Sequence, residues 1–471
     1  MLMRVAGPFI KALNNRENMR VALTAAALLL CVVTPAHGQR DTTTRSDSAA
    51  RADSIAREDS IRIVRELERI RNEPRARPEG APAPTGAQPG ISLLPNISAV
   101  GEVMADFSPD GSTQESGRRF DVREVELAVQ AAVDPYFRGD FFFGISDLEG
   151  FAIEEAYLST IALPWQLQAR AGRFHLPLGK QNVIHRPELL TIDYPYVIRR
   201  LLGEEGGKGT GLWLSKIFSP FGFYQEIIAT AVDALPPDAE HGHEEDEGGG
   251  ELVVDEPANK RLSGLGYGLR LRNYWDITQA ANLEISGSFA TGRRPQPIAC
   301  AAPLAPGDPP AFTDDCPGFD GPPGVNARQG IIGADVTFRW RPLQQGLYRS
   351  FIVQAELIHQ LNEAAPDLPE IPGQTVGYFG PTDDLTGAYI FARYQLQRRW
   401  FVGARYDWLE DPELGGETLS AVSGYLHFFP SEFSKIALGV ERTMPSGDRD
   451  GITRLLVQAT FAVGPHRPHA F

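Results

Sequence analysis

Residues 388–410 read AYIFARYQLQRRWFVGARYDWLE, and this stretch decides the fold. Apolar and polar side chains alternate on both sides of Arg398-Arg399, so that Val402 and Ala404 fall on one face and Arg405 falls on the other. A period of two residues is that of a β-strand, whose successive side chains point to opposite faces. The stretch therefore predicts two antiparallel strands joined by a tight turn.

The same alternation recurs over the rest of the chain from Ile91 onward. In the run 329–341, for example, Ile332 and Val336 oppose Asp335 and Thr337. We count sixteen such runs, centred on 97–107, 119–133, 136–146, 151–162, 165–173, 207–217, 222–233, 261–275, 281–292, 329–341, 349–361, 385–397, 400–409, 417–429, 433–443 and 452–464. Alternation alone permits either a soluble sandwich or a membrane barrel, since both have one apolar and one polar face.

The lengths of the connections distinguish these two folds. Short turns such as 134–135, 163–164 and 398–399 alternate with long connections, the largest being roughly 174–205, 234–260, 293–328 and 362–384. Short turns at one end and long loops at the other are typical of a transmembrane β-barrel. Four of the six tryptophans fall near the short-turn ends, where aromatic side chains meet the membrane interface: Trp165, Trp275, Trp340 and Trp400. We therefore predict an all-β fold, a transmembrane antiparallel β-barrel of about 16 strands over residues 91–471, with both ends of the barrel chain on the short-turn, periplasmic side.

The composition excludes several other classes of protein. The 471 residues are 42% hydrophobic and carry a formal net charge of −15, which disfavours nucleic-acid binding because neutralising phosphates requires clustered Lys and Arg. Outside the N-terminal region, no apolar run approaches the roughly 18 residues of a membrane helix. The sequence contains no G-x-S-x-G, H-E-x-x-H, C-x-x-C or P-loop motif, so we predict neither an enzyme nor a cofactor.

Residues 1–38 have the three parts of a secretory signal peptide. Basic residues precede the apolar run Val21–Val33, and Ala36-His37-Gly38 supplies a small-x-small ending. Either Met1 or Met19 can begin the chain, since Met19-Arg20 alone forms a compact basic region. We predict export of residues 39–471, whose net charge is −18 after the loss of four basic residues and one acid.

Residues 39–90 join the signal to the barrel. Over residues 39–73, small and apolar side chains recur every three or four positions, from Ala49 to Ile70. This spacing predicts a periplasmic helix, either a solvated tether or a short self-associating coil. The prolines from Pro74 to Pro89 predict an extended linker over residues 74–90.

Cys300 and Cys316 are the two cysteines that remain after export. An even pair in an exported chain predicts a disulfide, here one that closes a Pro-rich surface loop.

A second long connection is strongly acidic. It holds nine acids and no Lys or Arg between Asp238 and Glu256, and its histidines are His241 and His243. These histidines with Glu244 could ligate zinc or another divalent ion. The other interpretation is a solvated acidic loop, which Gly-flanked segments of this kind usually are.

Three motifs between Phe120 and Ile217 are informative about family. They are FDVREVELAVQAAVDPYFRGDFFFGI, EEAYLSTIALPWQLQARAGRFHLPLGKQN and GTGLWL, and the element RAGRFHLPLG over Arg170–Gly179 is the most specific. In these motifs the chain resembles the phosphate-selective porin O and P family. The resemblance implies an outer-membrane channel, typically a homotrimer, and in some members basic residues of the lumen bind phosphate or polyphosphate.

The connection from Phe174 to Gly206 is the candidate pore constriction. It is unusually apolar for a surface loop, and the barrel interior is a partner available to such a segment. A lid and a subunit contact are the alternatives. The basic side chains that would face the narrowed pore are Lys180, His185, Arg186, Arg199 and Arg200.

The polar faces of the strands carry charges of both signs. The basic residues predicted to line the lumen include Arg170, Arg339, Arg393, Arg405, Lys435 and Arg454. The acids on these faces are Glu124, Glu126, Asp140, Glu155, Glu284, Asp335, Glu356, Asp407 and Glu441. Mixed signs predict neutralising pairs or a transverse field, and anion preference would require unopposed cations at the narrowest point.

These features predict a porin in outer-membrane lipid, whose water-filled channel admits small hydrophilic solutes or ions. The family resemblance adds anions such as phosphate to the expected solutes. The alternative is a metal- or ligand-binding receptor barrel for uptake of zinc or another divalent ion. We expect the outer-membrane assembly machinery to read the C-terminal strand through Phe461 or Phe471.

Overall fold

A computed structural model describes residues 95–464 except for 115, 147–149, 234, 236–263, 302–311, 314–323, 364–374, 379–382, 413–416 and 448. The predicted signal peptide, periplasmic helix and Pro-rich linker lie outside the described residues, as do His241, His243, Glu244, Cys316 and Phe471. Within the described ranges, no helix is long and apolar enough to cross a membrane.

The chain forms one antiparallel β-sheet, in which eighteen strands are described. The strands are β1 Asn96–Asp106, β2 Phe120–Ala132, β3 Phe137–Ser146, β4 Gly150–Thr160, β5 Leu167–His175, β6 Lys208–Phe218, β7 Tyr224–Val232, β8 Gly266–Thr278, β9 Ala281–Ala301, β10 Phe312–Thr313, β11 Gly324–Trp340, β12 Phe351–Asn362, β13 Thr375–Tyr378, β14 Leu385–Gln397, β15 Trp400–Glu410, β16 Thr418–Ser431, β17 Ser434–Pro445 and β18 Thr453–Val463. The helical elements among the described residues are α1, Tyr196–Leu202, and single 3-10 turns at Pro164–Gln166 and Arg186–Glu188.

The sheet closes on itself. β1 pairs with β2 on one side and with β18 on the other, so that Val103 lies opposite both Val122 and Ala459. The short strands β10 and β13 pair with the far end of β9 and lie outside the ring. The other sixteen strands form a closed antiparallel barrel, as the alternating runs predicted. Closure satisfies the backbone hydrogen bonds that an open sheet edge would leave unpaired.

Side chains alternate across the barrel wall in the predicted sense. On β11, Ile332 and Val336 are exposed on the outside, whereas Asp335 and Thr337 are buried inside. The outward residues of β17 repeat the pattern: Ile436, Leu438 and Val440 are 41 to 49% exposed. An apolar exterior around a polar interior reverses the arrangement of a water-soluble protein and is that of a transmembrane β-barrel.

The two ends of the barrel differ in the length of their connections. Short turns such as 279–280, 398–399 and 432–433 lie at the end that also holds the start of β1 and the end of β18. The opposite end carries the longer connections, which include 107–119 and 176–207. The predicted asymmetry is therefore confirmed.

The hairpin of β9 and β11 is longer than the alternation predicted. The connection expected over residues 293–328 is partly strand, because β9 continues to Ala301 and β11 begins at Gly324, with Pro297 opposite Gly324. Cross-strand pairing of the two arms extends the hairpin past the point where the period of two is lost. Cys300 lies on β9, and its disulfide with Cys316 stays a prediction.

Candidate functional site

The connection between β5 and β6, residues 176–207, folds into the barrel, and we call it the inserted segment. Its two ends meet, because the Leu176 N–H donates to the Gly207 carbonyl at 2.9 Å. The buried Asn182 side chain donates to the carbonyls of Leu176 at 2.8 Å and Gly207 at 2.9 Å. The Gly207 N–H donates back to Asn182 Oδ1 at 2.6 Å. The buried side-chain amide of Asn182 therefore holds the two ends of the inserted segment together.

Apolar side chains of the inserted segment form a hydrophobic core inside the barrel. Leu189, Ile192, Val197, Ile198 and Leu201 are each no more than 2% exposed. The wall residues in the same core include Met104, Trp213, Ile228, Val232, Ala290, Ile331, Ile358, Tyr389, Phe391, Tyr425 and Leu456. A helix as apolar as α1 is stable when protein surrounds it, and the lumen wall supplies those surroundings.

Two glycines of the wall make room for this core. A Cβ added at Gly387 of β14 would lie 2.6 Å from Val197 Cγ2, and one at Gly439 of β17 would lie 2.4 Å from Ile192 Cδ1. Non-bonded carbon atoms do not approach so closely in packed interiors. On β16, by contrast, a Cβ at Gly424 would have no atom within 4 Å. The segment therefore packs directly against the backbone of β14 and β17.

Three sets of polar contacts anchor the inserted segment to the barrel wall, and the first set joins it to β8, β9 and β12. Lys180 Nζ donates to both carboxylate oxygens of Glu284 at 2.9 Å. The Lys180 N–H donates to Glu356 Oε2 at 3.1 Å, and Arg270 donates to the carbonyl of Gly179. Charge-assisted hydrogen bonds of this kind are stronger than neutral ones.

The second anchor is His185, which lies between two carboxylates. Its Nδ1 is 2.7 Å from Glu126 Oε2 on β2, and its Nε2 is 2.9 Å from Glu155 Oε2 on β4. Burial disfavours the charged imidazole, but the two carboxylates outweigh burial and raise the pKa of His185 to about 10. His185 is therefore a cation at neutral pH and joins two strands of the wall.

The third anchor is Asp193. Its carboxylate accepts hydrogen bonds from Arg123 on β2 and, at 2.9 Å, from Arg454 on β18. Arg405 on β15 donates to the backbone carbonyl of Asp193 at 2.7 Å. Burial opposes the negative charge, yet Arg123 and Arg454 hold the pKa of Asp193 well below its usual range.

These contacts reach opposite sides of the barrel. In the ring of sixteen strands, β4 and β14 are eight strands apart. The segment meets β4 through His185 and Glu155, and it meets β14 through Val197 and Gly387. The inserted segment therefore crosses the lumen from wall to wall and narrows any path through it.

All five predicted constriction cations lie on this segment, and each has a carboxylate nearby. The pairings of Lys180 and His185 are those given above. The others are Arg186 Nη1 with Glu205 Oε1 at 3.6 Å, Arg199 Nη2 with Glu204 Oε1 at 2.6 Å and Arg200 Nε with Asp411 Oδ2 at 3.8 Å. The sequence identified the cations but not their partners, although the alternation had placed Glu126, Glu155 and Glu284 on inward faces.

The six predicted lumen-lining basic residues lie on the inner face, and half of them are paired with acids. Those pairs are Arg339 with Glu284 at 3.4 Å, Arg405 with Asp407 at 2.7 Å and Arg454 with Glu441 at 3.2 Å. These three basic residues therefore act in neutralising pairs, as the mixed signs on the strands predicted.

The other three contact aromatic rings or backbone carbonyls. Arg170 lies over Tyr157 at 5.0 Å and over Trp213 at 4.5 Å. Arg393 lies over the Phe401 ring at 4.8 Å, and Lys435 donates to the carbonyls of Pro187 and Leu189 at 3.3 Å.

Three carboxylates come together elsewhere in the lumen. Oxygens of Glu124, Glu154 and Glu205 lie within 4.8 Å of one another. Lys208 Nζ donates to Glu154 and, at 3.0 Å, to Glu205, and Arg186 Nη1 lies 3.6 Å from Glu205 Oε1. The cluster therefore already contacts two cations of the protein. The predicted metal ligands His241, His243 and Glu244 lie outside the described residues, and their role stays a prediction.

Comparison with known proteins finds only distant similarity among the proteins reported below. No family model matches the chain. An uncharacterized protein of Aquifex aeolicus is 26% identical over 368 residues, which cover 75% of this chain and 70% of that one. Among solved structures, a loop-deletion mutant of the outer-membrane protein OmpT of Vibrio cholerae has a TM-score of 0.47 at 10% identity, over 79% of this chain and 99% of that one. An anion-selective porin from Comamonas acidovorans has a TM-score of 0.46 at 9% identity, over 78% of this chain and 99% of that one. The outer-membrane channel DcaP of Acinetobacter baumannii has a TM-score of 0.46 at 8% identity, over 80% of this chain and 99% of that one. The strand pairings themselves establish the closed barrel.

Proposed function

We propose that this protein is an outer-membrane channel for passive diffusion of small hydrophilic solutes, in which the inserted segment sets the width of the path. The closed barrel with an apolar exterior and a polar lumen is the observation that carries the proposal. A ring of sixteen strands is wide enough to enclose water, and a segment that crosses the ring reduces the free cross-section. The proposed activity is transport and not catalysis.

Conductance in planar bilayers tests this proposal. We expect the purified protein to give small, ohmic single-channel steps. Replacing residues 183–204 with a short Gly-Ser linker should raise the conductance several-fold, because it removes the part of the segment that crosses the lumen. The hydrogen bonds between Asn182 and Gly207 at the ends of the segment are kept. Replacement of the exposed turn 342–347 by Gly and Ser is the matched control and should leave the steps unchanged. Electrical silence of both the wild-type protein and the cleared barrel would contradict a channel.

Anion preference, phosphate included, is the finer part of the proposal and is supported by the motif resemblance. The carboxylates beside the five segment cations reduce the field that these cations exert on a permeating ion. Reversal potentials across a salt gradient measure the preference directly. If cations were favoured, and if neutralising Arg199 and Arg200 changed nothing, the anion assignment would be wrong.

Assembly follows the same proposal. We propose a homotrimer in outer-membrane lipid, with the N-terminal segment in the periplasm and the C-terminal strand recognised during insertion. Crosslinking and mass measurement in detergent test the trimer. For the alternative metal receptor, calorimetric zinc titration of the wild type and of the His241→Ala/His243→Ala double variant is the test, and equal heats would exclude it.

A further inference from the structure

Five inward-facing residues near the short-turn ends of β14 to β17 form a group that we call the basic–aromatic patch. They are Arg393, Phe401, His427, Phe429 and Lys435. Arg393 is four residues from the end of β14, Phe401 and Lys435 are the second residues of their strands, and His427 is four residues from the end of β16. The patch therefore lies between the inserted segment and the short turns.

Cross-strand register brings these side chains together. Phe401 is directly opposite His427, and the Arg393 guanidinium lies 4.8 Å from the centre of the Phe401 ring. The rings of Phe401 and Phe429 are 5.3 Å apart at 75°, and His427 is 6.4 Å from Phe429. Lys435 is two residues from Ala437, the cross-strand partner of His427.

The patch holds cations without matching acids. Among the residues that the structure describes, Arg393 forms no ion pair, and Lys435 contacts only the carbonyls of Pro187 and Leu189, at 3.3 Å. Lys435 forms no ion pair with a described acid, and Glu102 of β1 is paired with Arg123 at 3.2 Å. The patch is therefore left with net positive charge, in contrast to the paired charges around Asp193.

His427 supplies an independent sign of a missing partner. The side chain is 0% exposed, and neither ring nitrogen has a hydrogen-bond partner among the described residues. A buried polar group without a partner is destabilising and uncommon in folded proteins. A ligand oxygen at this position would accept a hydrogen bond from the imidazole.

We propose that the basic–aromatic patch binds a small carboxylate that carries an aromatic ring. The carboxylate would interact with Arg393 and Lys435 and accept a hydrogen bond from His427, while its ring packs against Phe401 and Phe429. An inorganic anion would satisfy the charges but leave the two phenyl rings in water. The inference rests on the proposed function in that it names a class of solute for the channel.

Calorimetry on the purified full-length protein in detergent tests the site. The probes are benzoate, acetate, which lacks the ring, and benzyl alcohol, which lacks the charge. We expect benzoate to bind more tightly than either of the others. Arg393→Gln should weaken benzoate about tenfold, which is the size of one charge-assisted hydrogen bond.

Two further variants make the result specific. Arg138→Gln removes the same charge from the inner face of β3, where Arg138 is paired with Asp140 at 2.8 Å, and should leave benzoate binding unchanged. Phe401→Leu should reduce the preference for benzoate over acetate. Circular dichroism confirms that each variant keeps its barrel. Equal affinities for benzoate and acetate, or an Arg393→Gln protein that binds benzoate as the wild type does, would overturn the proposal.

Bilayer recordings separate this inference from the proposed function. Benzoate should reduce the open-channel current of the wild type and affect the Arg393→Gln channel less. A conducting channel that is insensitive to benzoate contradicts the patch but keeps the channel. Calorimetric binding by a protein that never conducts supports the patch and contradicts the channel.

Discussion

Two groups of cations inside the same barrel have opposite surroundings. Around Asp193, the guanidinium groups of Arg123 and Arg454 meet carboxylates, and Arg405 meets both a carboxylate and a backbone carbonyl. In the basic–aromatic patch, Arg393 lies on a phenyl ring and forms no ion pair within the described ranges. A cation whose partner is part of the protein stabilises the fold, whereas a cation without one is available to a solute. We therefore expect substitutions around Asp193 to lower the stability of the fold, and substitutions in the basic–aromatic patch to weaken the binding of a solute.

Removal of Asp193 should have the largest effect. Asp193→Ala leaves the half-buried Arg123 and the buried Arg454 short of a partner, and we expect a loss of about 3–5 kcal/mol in the free energy of unfolding, since broken buried pairs leave an uncompensated charge. Urea unfolding in lipid vesicles, followed by tryptophan fluorescence, measures it. Glu188→Gln is the matched control, because Glu188 lies on the same segment and forms no ion pair with any described residue. Similar losses in both variants would show that the anchor is not specific.

Adding a side chain at Gly439 should cause the second-largest loss of stability. Gly439→Val places a Cβ 2.4 Å from Ile192 Cδ1, so we expect destabilisation by about 1–3 kcal/mol from overpacking. Gly424→Val, on the neighbouring strand with open space around its Cβ, should change stability by less than about 0.5 kcal/mol. Adding Ile192→Ala to Gly439→Val should recover part of the lost stability, whereas adding it to Gly424→Val should recover none. No recovery would indicate that the segment does not pack against β17.

Alkaline pH should loosen the inserted segment by a smaller amount. The pKa of His185 is raised in the folded protein, so its contribution is full below its ordinary value of 6.5 and is lost as pH rises toward about 10. We expect open-channel noise to increase between pH 7 and 10 in the wild type. His185→Gln should remove this pH dependence, whereas His359→Gln, which loses a bond to Thr386, should retain it. If the open-channel noise of the His185→Gln variant still rose between pH 7 and 10, a group other than His185 would be responsible.

The smallest effect is expected at Arg170. Arg170→Met removes cation–π contacts with Tyr157 and Trp213 but leaves no buried carboxylate unpaired, so the loss should be about 1 kcal/mol. Arg454→Met, which leaves Asp193 and Glu441 without one of their partners, should lose several times as much in the same unfolding assay. Equal losses would remove the distinction between paired and unpaired cations.

The strands and their faces could be predicted from local sequence because a side chain's face depends only on its position within its own strand. Ile332 and Asp335 show this, since the alternation of a single run assigned one to the outside and the other to the lumen. The extension of β9 to Ala301 could not be predicted in the same way. It depends on pairing with β11, and the prolines at 295 and 297 interrupt the alternating pattern.

The site was predictable in part. The apolar content of the connection after β5 and its five basic residues were evident from the sequence, but their acidic partners were not. Lys180 pairs with Glu284, which is 104 positions away, and Asp193 pairs with Arg454, which is 261 positions away. No local pattern specifies which of many inward acids a given cation will meet.

The sequence by itself determined a sixteen-strand barrel with an apolar exterior, because the period of two and the alternation of short and long connections are properties of neighbouring residues. Only the tertiary structure decided that the inserted segment crosses the lumen, that its cations lie beside acids of the wall, and that Arg393, His427 and Lys435 gather without acids of their own. These outcomes depend on closure of the ring and on strand register, which bring together residues that are far apart in the chain.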